Sequence, residues 1–149
     1  MKCFLTLSAF LLLFLNSSGQ TAEDSVRATI NQLFIAMKEG DSAKLRDAFA
    51  DSAILQTIGS RAGKTIIRNE SVQQFASSIK TLPKDAADER ITFETIRIDG
   101  PLALVWTPYQ FYFQEKFSHC GVNSFHVVRM DGKWKIQYLI DTRRKENCK

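Results

Sequence analysis

The sequence predicts an α+β domain, with N-terminal helices packed on one face of a strongly curved antiparallel sheet. The first observation is a change of period: apolar residues recur at helical spacing in the first half of the chain and alternate from about Asp88 onward. The second is punctuation, because Gly40, Pro83, Gly100-Pro101 and Asp131-Gly132 stand where the periodic stretches stop.

Residues "AEDSVRATINQLFIAMKEGD" read as a helix, with Val26, Ile30, Leu33 and Met37 on one stripe, Phe34 widening it and Gly40 ending it. Asp24 or Ser25 is the expected cap, accepting from first-turn N–H groups. A shorter helix follows at "DSAKLRDAF", capped by Asp41 or Ser42 and burying Leu45, Ala48 and Phe49. "AILQTI" is a short strand candidate, and "SRAGKTIIRN" a loop or short extended piece around Gly63. Val72, Phe75, Ile79 and Leu82 give a third helix in "NESVQQFASSIKTL" before Pro83. "DERITFETIRID" then alternates, and Gly100-Pro101 turns the chain into the aromatic, β-branched "LALVWTPYQFYFQEKF". "SHCGVNSFHVVRM", the hairpin dipeptide Asp131-Gly132 and "KWKIQYLIDT" complete the meander.

The N-terminus has another character. Lys2, the apolar run Phe4 to Leu15 and the small residues Ser17-Ser18-Gly19 form the three parts of a secretory signal peptide, with the cut expected near Gly19–Gln20. The run is shorter than the ~20 residues of a spanning helix. Cys3 precedes the run, whereas a lipoprotein cysteine would follow it. The expectation is a signal peptide at 1–19, one domain at 20–149, and a secreted or periplasmic protein. The formal net charge of +4 falls by one when Lys2 is removed, too mild to argue for nucleic acid or an anionic membrane as partner. The basic cluster "RRKENCK" reads as a solvated tail.

Two helices through "GDSAKLRDAFADSAIL", a third helix and a meander ending "DGKWKIQYLID" together resemble the nuclear transport factor 2-like (SnoaL-like) superfamily, over residues 23–142. Within it, "DGPLALVWTPYQFYF", "FSHCGVNSFHVVRMDGKWKI" and "DTRR" resemble secreted bacterial proteins labelled "putative lumazine-binding". The resemblance implies a cone, a bent sheet wrapped around helices with an apolar pocket at the open end. Members include isomerases, dehydratases, hydrolases, ligand binders and interaction modules, so fold alone does not select a function. Sheets of this kind often pair outer face to outer face, which makes a homodimer one expected assembly.

Strand alternation sorts the last hairpin. If Asp131-Gly132 is a two-residue turn, Met130 pairs with Lys133. One face then carries His119, Gly121, Asn123, Phe125, Val127 and Arg129 opposite Arg144, Thr142, Ile140, Tyr138, Ile136 and Trp134, and its large apolar groups assign it inward. A bulge near Gly121 would reverse the residues on one side of it. His119 and Cys120 face opposite ways, so they form neither a metal chelate nor a thiolate–imidazole pair. No His/Cys/carboxylate spacing suits zinc, and no metal or cofactor is expected. Cys120 falls outward opposite Arg143, and Cys148 lies five residues beyond that partner. In an oxidising compartment the two would form a disulfide stapling the tail; two free thiols are the other outcome.

His119 and Asn123 remain as polar groups on an apolar face. They are either satisfied by neighbouring backbone, or they line a pocket walled by Trp106, Tyr109, Phe111, Phe113, Phe125 and Tyr138. In the second case His119 is the candidate catalytic acid or base, with Asn123 as polariser. Asp141, in "DTRR", either orients a ligand or forms an end-of-strand ion pair. Family isomerases and dehydratases use an acid–base dyad within the cone, and here no carboxylate is expected on the inward face of these strands. There is no phosphate loop and no nucleophile elbow. The leading expectation is therefore a secreted domain that binds a small apolar or aromatic molecule. A cofactor-independent isomerase, dehydratase or hydrolase using His119, and a non-catalytic dimerisation module, are the alternatives.

Overall fold

The structure, a computed structural model, describes residues 21–148; the signal peptide expected at 1–19 lies outside the described residues. Helix α1 (Ala22–Glu39) begins at Thr21, whose hydroxyl accepts from the Asp24 N–H while the Asp24 carboxylate accepts from the Thr21 N–H. The cap is thus Thr21, with Asp24 completing the box rather than capping the helix itself. Val26, Ile30, Leu33, Phe34 and Met37 form its buried stripe, and Gly40 closes it at φ 71°, a conformation that favours glycine. Asp41 caps α2 (Ser42–Asp47) and Ser71 caps α3 (Val72–Lys80).

Among the described residues there are seven strands, β1 (Phe49–Arg61) and β2 (Lys64–Glu70) before α3, and β3 (Ala87–Ile91), β4 (Thr95–Asp99), β5 (Leu102–Phe113), β6 (Lys116–Met130) and β7 (Lys133–Thr142) after it. They form one sheet in the order β2-β1-β7-β6-β5-β3, with β4 also paired to β5. The α+β class expected from the sequence is what the structure shows, with one difference: β1 runs parallel to β7. The piece around Gly63, expected as a loop or short extended piece, is extended on both sides of a turn and forms the β1–β2 hairpin. Its central residues Ala62 and Gly63 both have positive φ, as do Gln114-Glu115 between β5 and β6 and Asp131-Gly132 between β6 and β7. Paired positive φ values mark the turn type whose twist matches that of two-stranded ribbons.

The segment "DERITFETIRID" is two strands instead of one. β3 pairs with the second half of β5 and β4 with the first half. At the interruption the Thr92 N–H donates to the Pro108 carbonyl. The N and C=O of a strand residue face the same neighbour, so the donor that Pro108 lacks would have pointed at this gap. The core lies between the helices and the inner sheet face, where Phe34 of α1 meets Phe125 of β6 edge-on with ring centroids 6.2 Å apart.

A cavity between the helices and the inner sheet face

Beyond that core the helices and the sheet leave a cavity of about 300 Å³. α1 contributes Leu33, Phe34 and Met37, α3 contributes Phe75 and Ile79, and the sheet supplies Phe111 and Leu139, so most of the wall is apolar. Apart from Ser78 of α3, the polar lining comes from the strand side: Thr57 of β1, Glu70 of β2, Glu89 of β3, His119 and Asn123 of β6, Asp141 of β7, and Arg143 just beyond it.

One residue decides which of these face inward. Val127 pairs with Ile136, as the sequence register predicts, but His126 pairs with Tyr138, leaving Gln137 as an extra residue in β7. This bulge reverses the orientation of everything after it. Leu139, Asp141 and Arg143 turn inward, whereas Tyr138, expected as a wall, turns outward. On the outer face the Tyr138 ring meets His126 and its hydroxyl donates to Gln56 Oε1 at 2.6 Å. Arg143, expected outside, lines the cavity, and Cys120 bridges to Arg144 in its place.

Of the other expected wall residues, Phe111 and Phe113 line the cavity. Trp106 does not: it pairs with Ser124 on the outer face and is 40% exposed. Phe125 is wholly buried against α1, within the core. Tyr109 lies beside the polar cluster without lining the cavity. Its hydroxyl donates to the Thr142 carbonyl at 2.9 Å and lies 3.3 Å from Asp141 Oδ2.

Asp141 is the hub of that cluster. Thr57 donates to its Oδ1 at 2.6 Å, and Arg143 Nε donates to Oδ2 at 2.9 Å. Arg143 Nη2 also donates to Thr57 Oγ1 at 3.2 Å, which closes a triangle. The ion-pair reading of Asp141 and its cavity position therefore hold together. A second polar pair lies on β3 and β6, where Asn123 Nδ2 donates to Glu89 Oε1 at 2.8 Å. His119 Nδ1 lies 3.1 Å from Ser118 Oγ, and its ring packs against Tyr109 and Phe111.

The expectation that no carboxylate faces inward on the strands of the last hairpin is overturned by Asp141, and Glu89 of β3 and Glu70 of β2 add two more carboxyl groups to the lining. Burial pushes the Glu89 carboxyl up to about 7; the Asn123 hydrogen bond and Arg143 oppose the shift, and Asp141 adds to it. Glu70, at the rim, is raised by burial and by Asp141 against the pull of Arg143. Burial pushes the His119 imidazole down, and Arg143 acts in the same direction. The Tyr109 phenol is raised by burial and by the Asp141 and Glu89 charges. Among the described residues, no three His, Cys, Asp or Glu side chains come together as a metal site.

Sequence reasoning missed Glu89, although a signal for it was present. In "ADERITF" it shares strand parity with Ala87, Ile91 and Phe93, a carboxylate in an apolar row. Arg143, Thr57 and Glu70 gave no such signal, since their positions depend on the bulge and on the β1–β2 hairpin.

Cys120 and Cys148 form a disulfide, with Cα atoms 5.7 Å apart. Cys120 and Arg144 exchange backbone hydrogen bonds of 2.9 Å in both directions, so the tail runs on beside β6 after β7 ends. Among the described residues no helix is long and apolar enough to cross a membrane.

Solved structures with this fold are numerous but distant. An NTF2-like protein of unknown function from Shewanella baltica OS155 matches with a TM-score of 0.65 at 15% identity, covering 83% of this chain and 94% of its own. A protein of unknown function with a cystatin-like fold from Nostoc punctiforme PCC 73102 gives 0.66 at 13% identity, covering 85% and 95%. A second Nostoc punctiforme PCC 73102 domain of unknown function with a cystatin-like fold gives 0.64 at 19%, covering 84% and 78%. These likenesses establish the nuclear transport factor 2-like fold and nothing finer. No curated protein matches the chain. A family model described as "Putative lumazine-binding" matches residues 21–138, and the chain belongs to that family.

Proposed function

We propose that this protein is a small-molecule-binding domain whose ligand has an apolar or aromatic body and a polar end. One observation carries the reading: an apolar cavity of about 300 Å³ has its polar groups gathered on the strand side, converging from β1, β2, β3, β6 and β7. The ligand body would lie against Phe75, Ile79, Phe111 and Leu139, and its polar end would meet Asn123, Glu89 and the Asp141–Arg143 pair. The test is a thermal-shift screen with flavin-like, terpenoid and polyketide-like libraries. One class is expected to stabilise the wild type, and no longer to stabilise Leu139→Trp, which fills the cavity. The absence of any stabilising class would overturn the proposal.

The Glu89 carboxyl at about 7 supports a second reading, an acid–base enzyme without a cofactor. At neutral pH Glu89 could both accept and donate a proton, and neutral His119 stands in the same cavity. On this reading Glu89→Gln and His119→Ala abolish turnover of a bound substrate while its affinity stays within a few-fold. Loss of affinity without any turnover in the wild type would leave the binding reading alone.

The Cys120–Cys148 bond supports a setting in an oxidising compartment, outside the cytoplasm. The mass of the exported protein tests the cut near Gly19–Gln20. The outer sheet face exposes Ile54, Leu104 and Trp106, which supports a homodimer through that face; light scattering on Trp106→Glu tests it.

A further inference from the structure

The charged groups of the cavity do not balance. Three carboxyl groups line it, Glu70 on β2, Glu89 on β3 and Asp141 on β7, against one guanidinium, that of Arg143. Arg143 is already committed, with Nε on Asp141 and Nη2 on Thr57. That pair is close to self-neutralising, so Glu70 and Glu89 are left without a cation of their own in the lining. Asn123 donates a neutral hydrogen bond to Glu89, which satisfies one lone pair and supplies no charge.

The remaining titratable groups do not restore the balance. His119, on β6, is held toward its neutral form by burial and by Arg143. Tyr109, on β5, is held protonated, and Lys145 acts on His119 from the tail without lining the cavity. α1 and α3 present Leu33, Phe34, Met37, Phe75, Ser78 and Ile79, none of which carries charge.

We infer that the cavity selects its ligand by charge, taking an apolar ring system that carries a protonated amine and rejecting the same ring system with a carboxylate. The inference rests on the binding reading given above. An ammonium group entering between Glu89 and Glu70 supplies the missing countercharge in a site where water screens little. A carboxylate would meet two groups of its own sign, and Arg143 could receive it only by leaving Asp141 and Thr57.

The raised Glu89 and Glu70 carboxyls accord with this, since burial without a dedicated cation is what lifts them. A bound ammonium would lower both, so binding near neutral pH should release protons.

Three ring-matched probes test the inference: 2-naphthylmethylamine, 2-naphthalenemethanol and 2-naphthoate, titrated calorimetrically at pH 8 and pH 5.5. At pH 8 the amine should bind at least about tenfold more tightly than the alcohol, with the carboxylate weakest. The amine's advantage should shrink at pH 5.5, and also in Glu89→Gln and Glu70→Gln at pH 8. At pH 7, titrations in buffers of different ionisation enthalpy should show proton release for the amine only. If the alcohol equals the amine, or the carboxylate binds most tightly, charge selection is wrong while the binding reading stands. If no probe binds, the binding reading for aromatic bodies falls and the charge inference falls with it.

Discussion

Replacing Glu89 by Gln should make the protein more stable at pH 8 and change its stability by less than about 1 kcal/mol at pH 5. Glutamine can still accept from Asn123 Nδ2, so the hydrogen bond at 2.8 Å survives and the variable is charge. The folded carboxyl titrates at about 7, against an unperturbed 4.5. The folded state therefore holds a proton that the unfolded chain has released throughout the interval between these values. Stability contributed by neutral Glu89 is full at low pH and is lost as pH rises toward 7. At about 1.4 kcal/mol per pH unit the shift sets a ceiling near 3.4 kcal/mol, and water entering the cavity lowers the expected difference to roughly 2–3 kcal/mol. Urea unfolding of both proteins at pH 5, 6, 7 and 8, with the disulfide intact, gives the measurement. His119 is present in both, so its own titration largely cancels in the difference. A gap between the two proteins that does not grow with pH, or a variant less stable than wild type at pH 8, would refute the burial argument.

The disulfide closes a loop with a sequence separation of 28, and the chain-entropy relation assigns it about 3.5 kcal/mol; Cys148→Ser, or reductant on the wild type, should lower the urea-derived stability by that order. Gly121→Ala places a Cβ 1.8 Å from the Thr142 carbonyl oxygen and 2.8 Å from the Tyr109 ring, so the β6–β7 backbones must part. A loss of about 2–3 kcal/mol or more, together with loss of ligand binding, is expected in unfolding and calorimetric titrations. Tyr109→Phe keeps the ring beside His119 but strips a donor from the Thr142 carbonyl. It should cost about 1–2 kcal/mol in urea unfolding.

How far the sequence reaches can be judged strand by strand. The α1 stripe was legible because Val26, Ile30, Leu33 and Met37 follow the helical period and Gly40 stops it. The Asp131-Gly132 hairpin was legible because its dipeptide suits the turn it makes. The Ala62-Gly63 and Gln114-Glu115 turns adopt the same conformation with residues that advertise it less, which is why β2 read as a loop or short extended piece rather than as one arm of a hairpin. The split between Cys120 and His119 followed from alternation and needed only local register. The charged wall did not, since Thr57 meets Asp141 through parallel pairing of strands 84 residues apart. Glu89 meets Asn123 from a strand that joins the sheet at its far edge.

The extra residue at Gln137 has a consequence for how such a chain can change. Downstream of it, the chemistry of the cavity is fixed by parity rather than by side-chain identity. Taking Gln137 into the ladder opposite His126 would alter no residue, yet would exchange Leu139, Asp141 and Arg143 for Tyr138, Ile140 and Thr142 on the inner face. The cavity would lose its ion pair and gain an aromatic ring in a single step. Deleting Gln137 would do the opposite: Tyr138 would follow Ile136 directly, still opposite His126, and the same side chains would line the cavity. This wall therefore depends on where the ladder absorbs its extra residue as much as on which side chains the strand carries.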